Sequence, residues 1–131
     1  MGVLRSKKQP ELTEAQKKIN KLWEMYASGK LAETDYSTFV LCEYESGVND
    51  EGHSGWFFNI ENTEGKEAIN KILSALEEVL PTHLYDNLNK AFRSYGTEDE
   101  EDVCDSADNY FYEHEQVILE YLQGVANRLD L

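Results

Sequence analysis

Histidines, cysteines and carboxylates are the side chains here that could catalyse or ligate, and their spacing argues against both roles. His53, His83 and His114 fall in three separate segments, and Cys42 and Cys104 belong to no C-x-x-C pair. A metal centre needs several such ligands in a recurring pattern, and none recurs. A calcium loop of the EF-hand type needs glycine at its sixth position and glutamate at its twelfth; no acidic stretch supplies both. Covalent catalysis needs a nucleophile within reach of a base. Both cysteines instead fall on apolar helical faces, where a thiol behaves as a small hydrophobe. His114, on the apolar side of the last helix, reads as a satisfied, partly buried imidazole. Glycine-rich phosphate cradles, G-x-S-x-G elbows and H-E-x-x-H helices are missing from the sequence. An enzyme would need a cleft uniting His53, Glu43 and tyrosines from segments that nothing in the sequence brings together. The chain reads as non-enzymatic, with no metal and no cofactor.

Charge is the stronger signal. Across 131 residues, 26 Asp+Glu outweigh 12 Lys+Arg, for a net charge of −14. Residues 1–30 hold seven bases and three acids, whereas the remaining 101 hold five bases and 23 acids. The densest run contains Glu98, Asp99, Glu100, Glu101, Asp102, Asp105 and Asp108 with no base among them. Phosphate affinity comes from Lys and Arg displacing counterions, so direct nucleic-acid binding and attraction to anionic membranes are excluded as leading functions. Such a run serves either as a solvated loop and first helical turn, where carboxylates complement the helix dipole, or as a face that docks a basic protein. In the second case the carboxylates should share one exposed surface, joined by acids such as Glu113 or Glu120.

The elements that must position this face read as helices. Residues 1–10 read as a mobile basic tail and 11–131 as one helical domain. A first helix follows Thr13 and Gln16, a capping-box pair, with Leu12, Ala15, Ile19, Leu22, Trp23 and Tyr26 at helical spacing and Gly29 as its stop. A second starts at Thr34, buries Tyr36, Phe39, Val40 and Tyr44, and ends at Gly47. V-N-D-E-G-H-S-G, residues 48–55, is turn-rich and reads as a loop. Trp56, Phe57, Phe58 and Ile60 follow, in a segment short enough for a strand or a short helix capped by Ser54; its helical surroundings favour the helix, and at least two of its three leading aromatics should be buried against the second and last helices. Further helices span about 64–80, about 82–95 after Pro81 with Thr82 as cap, and about 103–129. Val103, Ala107, Tyr110, Phe111, Val117, Ile118, Tyr121, Leu122, Val125 and Leu129 form the inward stripe of the last. No convincing strand-period segment occurs. The expected fold is all-α, a single compact domain of about five to six helices. Neither a membrane-spanning apolar run nor a secretory leader is evident, and two cysteines make no disulfide framework; the expected location is the cytoplasm. Met1-Gly2-Val3-Leu4-Arg5-Ser6 fits the short pattern for N-myristoylation.

Three stretches together resemble a known family. V-L-C-E-Y-E-S-G-V-N-D-E-G-H-S-G-W-F-F-N, residues 40–59, has a helix with acidic residues, a glycine-rich turn and then an aromatic element, in which Gly55, Trp56, Phe57, Phe58 and Asn59 stand. E-A-I-N-K-I-L-S-A-L-E-E-V-L is similar to that family's next amphipathic helix, and D-S-A-D-N-Y-F-Y-E-H-E to its last-helix signature. The chain thereby resembles the bacterial DNA-mimic-protein-like domain family over about residues 40–127. The resemblance implies an all-helical, non-enzymatic protein, and one characterised member sets carboxylates where DNA has phosphates. The expected partner is then a basic protein, such as a DNA-binding protein, met through Glu98, Asp99, Glu100, Glu101, Asp102, Asp105 and Asp108. The alternative is a structural or regulatory domain that binds a partner, or itself as a homodimer, through an apolar surface, with acidity serving solubility.

Overall fold

The computed structural model describes residues 14–28 and 36–129. Five helices follow in order: α1 (Glu14–Ala27), α2 (Tyr36–Glu64), α3 (Lys66–Val79), α4 (Thr82–Ser94) and α5 (Glu100–Arg128). The fold is all-α. The expected tail, the myristoylation-like motif, the Thr13 and Thr34 caps and the Gly29 stop lie outside the described residues, as do the side chains of Ala15 and Tyr26.

α2 and α5 form the centre. α3 lies along α2, α4 fills the angle between them and α5, and α1 rests mainly on α5. One core runs through all five, from Leu22 of α1 through Leu41, Tyr44 and Phe57 of α2, Ile69 and Leu76 of α3 and Leu88 of α4 to Phe111 and Leu122 of α5. Burying each large side chain stabilises by about 1.5–3 kcal/mol relative to exposure, so these rows of apolar residues at helical spacing dictate the packing.

The glycine-rich stretch departs from expectation. Residues 48–55 are helical, and the short aromatic helix is the second half of a 29-residue α2. Gly47 does not end a helix: the Trp56 indole packs over it, and a β-carbon there would stand 2.3 Å from Trp56 Cδ1. The break falls instead at Gly52, whose φ of 76° and ψ of 172° kink the helix in a region that favours glycine. Ser54 caps nothing; its hydroxyl donates to Glu100. Thr82 is the first helical residue rather than the cap, a position held by Pro81, whose fixed φ suits a helix start. α5 begins three residues earlier than expected, so Glu100, Glu101 and Asp102 occupy its first turn and meet the positive end of its dipole.

Trp56 and Phe57 are buried, whereas Phe58 is 57% exposed. Trp56 meets the first half of α2 edge-on at Tyr44, with ring centroids 5.1 Å apart. Phe57 packs edge-on against Phe92 and Tyr95, at 5.4 and 5.5 Å. The inward stripe of α5 is narrower than its apolar sequence pattern. Val117, Tyr121 and Leu129 are exposed, as is Trp23 of α1, because α1, α2 and α4 together cover less than the full apolar arc.

Candidate functional site

The kink at Gly52 organises the acidic end of the molecule. Breaking the helix there leaves the His53 backbone N–H without its usual carbonyl, and Asp108 of α5 supplies an acceptor. Asp108 Oδ1 accepts that N–H at 2.8 Å and also lies 2.7 Å from His53 Nδ1. The imidazole is fully buried, and its Nε2 lies 2.7 Å from the Tyr44 hydroxyl. Burial pushes the Tyr44 hydroxyl well above its ordinary range, with the Asp108 charge adding to the effect. Tyr44 therefore keeps its proton and donates it to Nε2, while Nδ1–H donates to Asp108. Both ring nitrogens are bonded and the ring is closed off from solvent, so His53 clasps α2 to α5. The space beside Gly52 belongs to the same clasp: a β-carbon there would stand 2.7 Å from Asp108 Oδ2.

A second clasp lies about two turns earlier on α5. Glu100 accepts the Ser54 hydroxyl through one oxygen and the Gly96 N–H at 2.9 Å through the other. These bonds hold the Glu100 carboxyl below its usual range, the Ser54 bond most, against an opposing effect of desolvation. On the far side of the kink, Asn49 donates to Glu45 at 2.7 Å and to Glu115. Burial first, then its bond to Glu115 and that residue's charge, pushes the Glu45 carboxyl up to about 8. Glu45 thus holds its proton beside the Glu115 carboxylate far above the usual glutamate range.

Between the clasps opens a cleft of about 420 Å³, lined by Glu51, Glu98, Glu100, Glu101, Asp105 and Asp108, with Ser54, Thr97 and Cys104 beside them. Five of the seven acids singled out in the sequence converge there. Asp99 and Asp102 are exposed nearby and do not line it. Glu113 and Glu120, further along α5, are exposed but stand apart from the cleft. Of the aromatic element, Trp56 and Phe57 are core, Phe58 is exposed, Asn59 donates to Glu51, and Gly55 packs against the Glu51 side chain.

Sequence reading missed Glu51 and the clasp partners Tyr44, His53 and Ser54. A signal existed for one pair: a glycine inside a helical stretch marks a break whose freed N–H needs an acceptor, yet nothing local links residue 53 to 108. His114 behaves as expected, half-buried and stacked on Tyr110 at 4.1 Å, with Nδ1 2.9 Å from the Tyr110 carbonyl. Cys42 and Cys104 are buried thiols outside any disulfide, and burial pushes the Cys104 thiol up. Among the described residues no three His, Cys, Asp or Glu side chains converge to hold a metal ion, and no helix is long and apolar enough to cross a membrane.

The profile of the DMP19-like protein family matches residues 29–130, most of the chain. No curated protein and no solved structure matches it. The chain belongs to the DMP19-like family, a family of DNA-mimic proteins, in agreement with the resemblance read from its motifs.

Proposed function

We propose that this DMP19-like chain is a non-enzymatic interaction protein that occupies the basic, DNA-binding surface of a protein partner. The observation that carries the reading is the convergence of Glu51, Glu98, Glu100, Glu101, Asp105 and Asp108 on one cleft at the kink. Carboxylates on successive turns of α5 recur about every 5.4 Å, a spacing of the kind a row of phosphates offers to Lys and Arg. Like charges gathered so closely repel one another. Serine, asparagine and backbone donors and the α5 dipole offset part of that cost and leave the outer oxygens of Glu98, Glu101 and Asp105 facing water. Cys42 and Cys104, buried and reduced, suit a reducing compartment, and we place the protein in the cytoplasm.

The test uses Glu98→Gln, Glu101→Gln and Asp105→Asn together, sparing Glu100 and Asp108 because they hold the fold. Wild-type protein should retain a DNA-binding protein from its native host at low salt and release it at high salt. The triple variant should bind that protein at least about tenfold more weakly, as loss of three charges at a desolvated contact predicts, with melting unchanged. Cognate duplex should compete. Unchanged affinity in the folded variant would remove the cleft from the mechanism.

One observation favours the apolar alternative. Val117, Tyr121, Leu41, Val79, Leu80, Pro81 and Ile118 line a groove of about 270 Å³ on the opposite part of α5. Binding that resists salt and is lost in Val117→Asp would assign the contact to this groove.

A further inference from the structure

A second pocket lies where α1, α2 and α3 meet, apart from the acidic cleft, and does not depend on the reading given to that cleft. It measures about 240 Å³ and is lined by Trp23, Trp56, Glu43 and Glu64, with Ser46, Asn59 and Thr63 at its sides. Sites that bury drug-sized ligands run to about 300–1,000 Å³, so this one suits a single side chain. Its chemistry is uneven in a telling way.

Two tryptophans form the apolar surface. Trp23 stacks one face on Phe39, with centroids 5.7 Å apart and planes within 10°; it is 39% exposed and borders the pocket. Trp56 is 94% buried. Its Nε1 points to the Gly47 side, where a β-carbon would come within 2.8 Å of it, and Gly47 also lines the pocket. Among the described residues that indole N–H makes no hydrogen bond. A buried donor of this kind is costly unless something accepts from it.

The polar surface is negative and lacks a basic residue. Burial, followed by the charge of Glu64, raises the Glu43 carboxyl above its usual range. The Tyr36 hydroxyl is raised by burial, then by Glu64 and Glu43. The nearby ammonium of Lys71 sits over the Tyr36 ring, 4.7 Å from its centroid, and is not part of the lining.

We propose that this pocket receives the guanidinium of an arginine presented on a peptide segment. Tryptophan is the strongest aromatic partner for a cation. The planar guanidinium stacks on aromatic faces and forks onto carboxylates, and it sheds water more readily than an ammonium. Trp23 supplies the stacking face, and Glu43 and Glu64 supply the acceptors. Guanidinium has five donors and no acceptor, so it cannot satisfy Trp56 Nε1–H. A peptide carbonyl beside the arginine can, which is why the ligand is a segment of chain rather than a free cation.

The experiment reads the two indole N–H resonances of the full chain by ¹H–¹⁵N correlation, since the sequence has only two tryptophans. N-acetyl-arginine amide should shift both resonances saturably. The neutral isostere N-acetyl-citrulline amide should bind at least about tenfold more weakly, and Glu64→Gln should weaken the arginine probe about three- to tenfold, the scale of a partly screened charge-assisted bond. Methylguanidine, which lacks a carbonyl, should move Trp23 and leave Trp56 in place. Equal affinity for the citrulline probe, or no saturable shift with the arginine probe in a folded protein, would overturn the proposal. Methylguanidine moving both resonances with the affinity of the amide would overturn its peptide part and assign the pocket to a free guanidinium.

Discussion

A single oxygen of Asp108 meets both the backbone N–H and the ring Nδ1 of His53, at 2.8 and 2.7 Å, across 55 positions of sequence. It thereby mends the hydrogen bond lost at the Gly52 kink and fixes the imidazole tautomer. Asp108→Ala should strand both donors and cost about 2–4 kcal/mol, the scale of leaving buried polar groups unpaired. Asp105→Ala, whose residue is exposed one turn earlier, should stay within about 0.5 kcal/mol. Equal denaturant midpoints for the two variants would refute the clasp.

Gly47→Ala separates two views of that glycine. Helix propensity alone favours alanine by about 1 kcal/mol. The indole of Trp56, 2.3 Å from the β-carbon position, opposes it, and overpacking costs about 1–3 kcal/mol. Urea unfolding should therefore show net destabilisation; a more stable variant would mean the indole is not held there.

Trp56→Ala and Phe57→Ala should each lower stability by about 3–5 kcal/mol, as buried aromatics do. Phe58→Ala, at 57% exposure, should cost under about 1 kcal/mol. Similar melting losses at all three positions would contradict the orientation of this half of α2.

Acid and base act on stability from opposite sides. Glu45, pushed up to about 8 by burial and Glu115, holds its proton more tightly folded than unfolded. Its stabilising effect is complete below the ordinary glutamate range and is lost as pH rises toward 8. Glu100, lowered by Ser54 and Gly96, contributes above that range and loses its contribution as pH falls through its folded value. Denaturant midpoints should decline between about pH 5 and 8, and Glu45→Gln should flatten that decline. A pH profile identical in wild type and variant would dismiss the raised Glu45 carboxyl.

Duplex DNA should show no gel shift at physiological salt, because 23 acids face five bases beyond residue 30. A tight shift would transfer the function to the bases of the first 30 residues.

The helices were legible because Ile69, Ile72, Leu73 and Leu76, or Leu84, Leu88 and Ala91, recur at helical spacing whatever their neighbours do. The seven-acid run was legible because charge density needs no tertiary knowledge. Two things were not. Glycine and asparagine between 47 and 55 signal a turn locally, but Trp56 over Gly47 and Asp108 beside Gly52 make the same residues helical and kinked. Val117 and Tyr121 match a buried stripe by type, and only the limited width of the neighbouring helices leaves them outside. Glu51 escaped notice because it lies outside the acidic run and reaches the cleft through the kink.

The two residues at the kink are also bound together as variants. Gly52→Ala meets both a positive φ and the Asp108 carboxylate, while Asp108→Ala alone orphans His53. Removing Asp108 from the Gly52→Ala protein relieves one of its two conflicts, so the pair should show sub-additive losses. Whichever of the two residues changes first, the first step away from the bend costs stability, so the bend is held in the sequence by a mutual dependence between positions far apart in the chain.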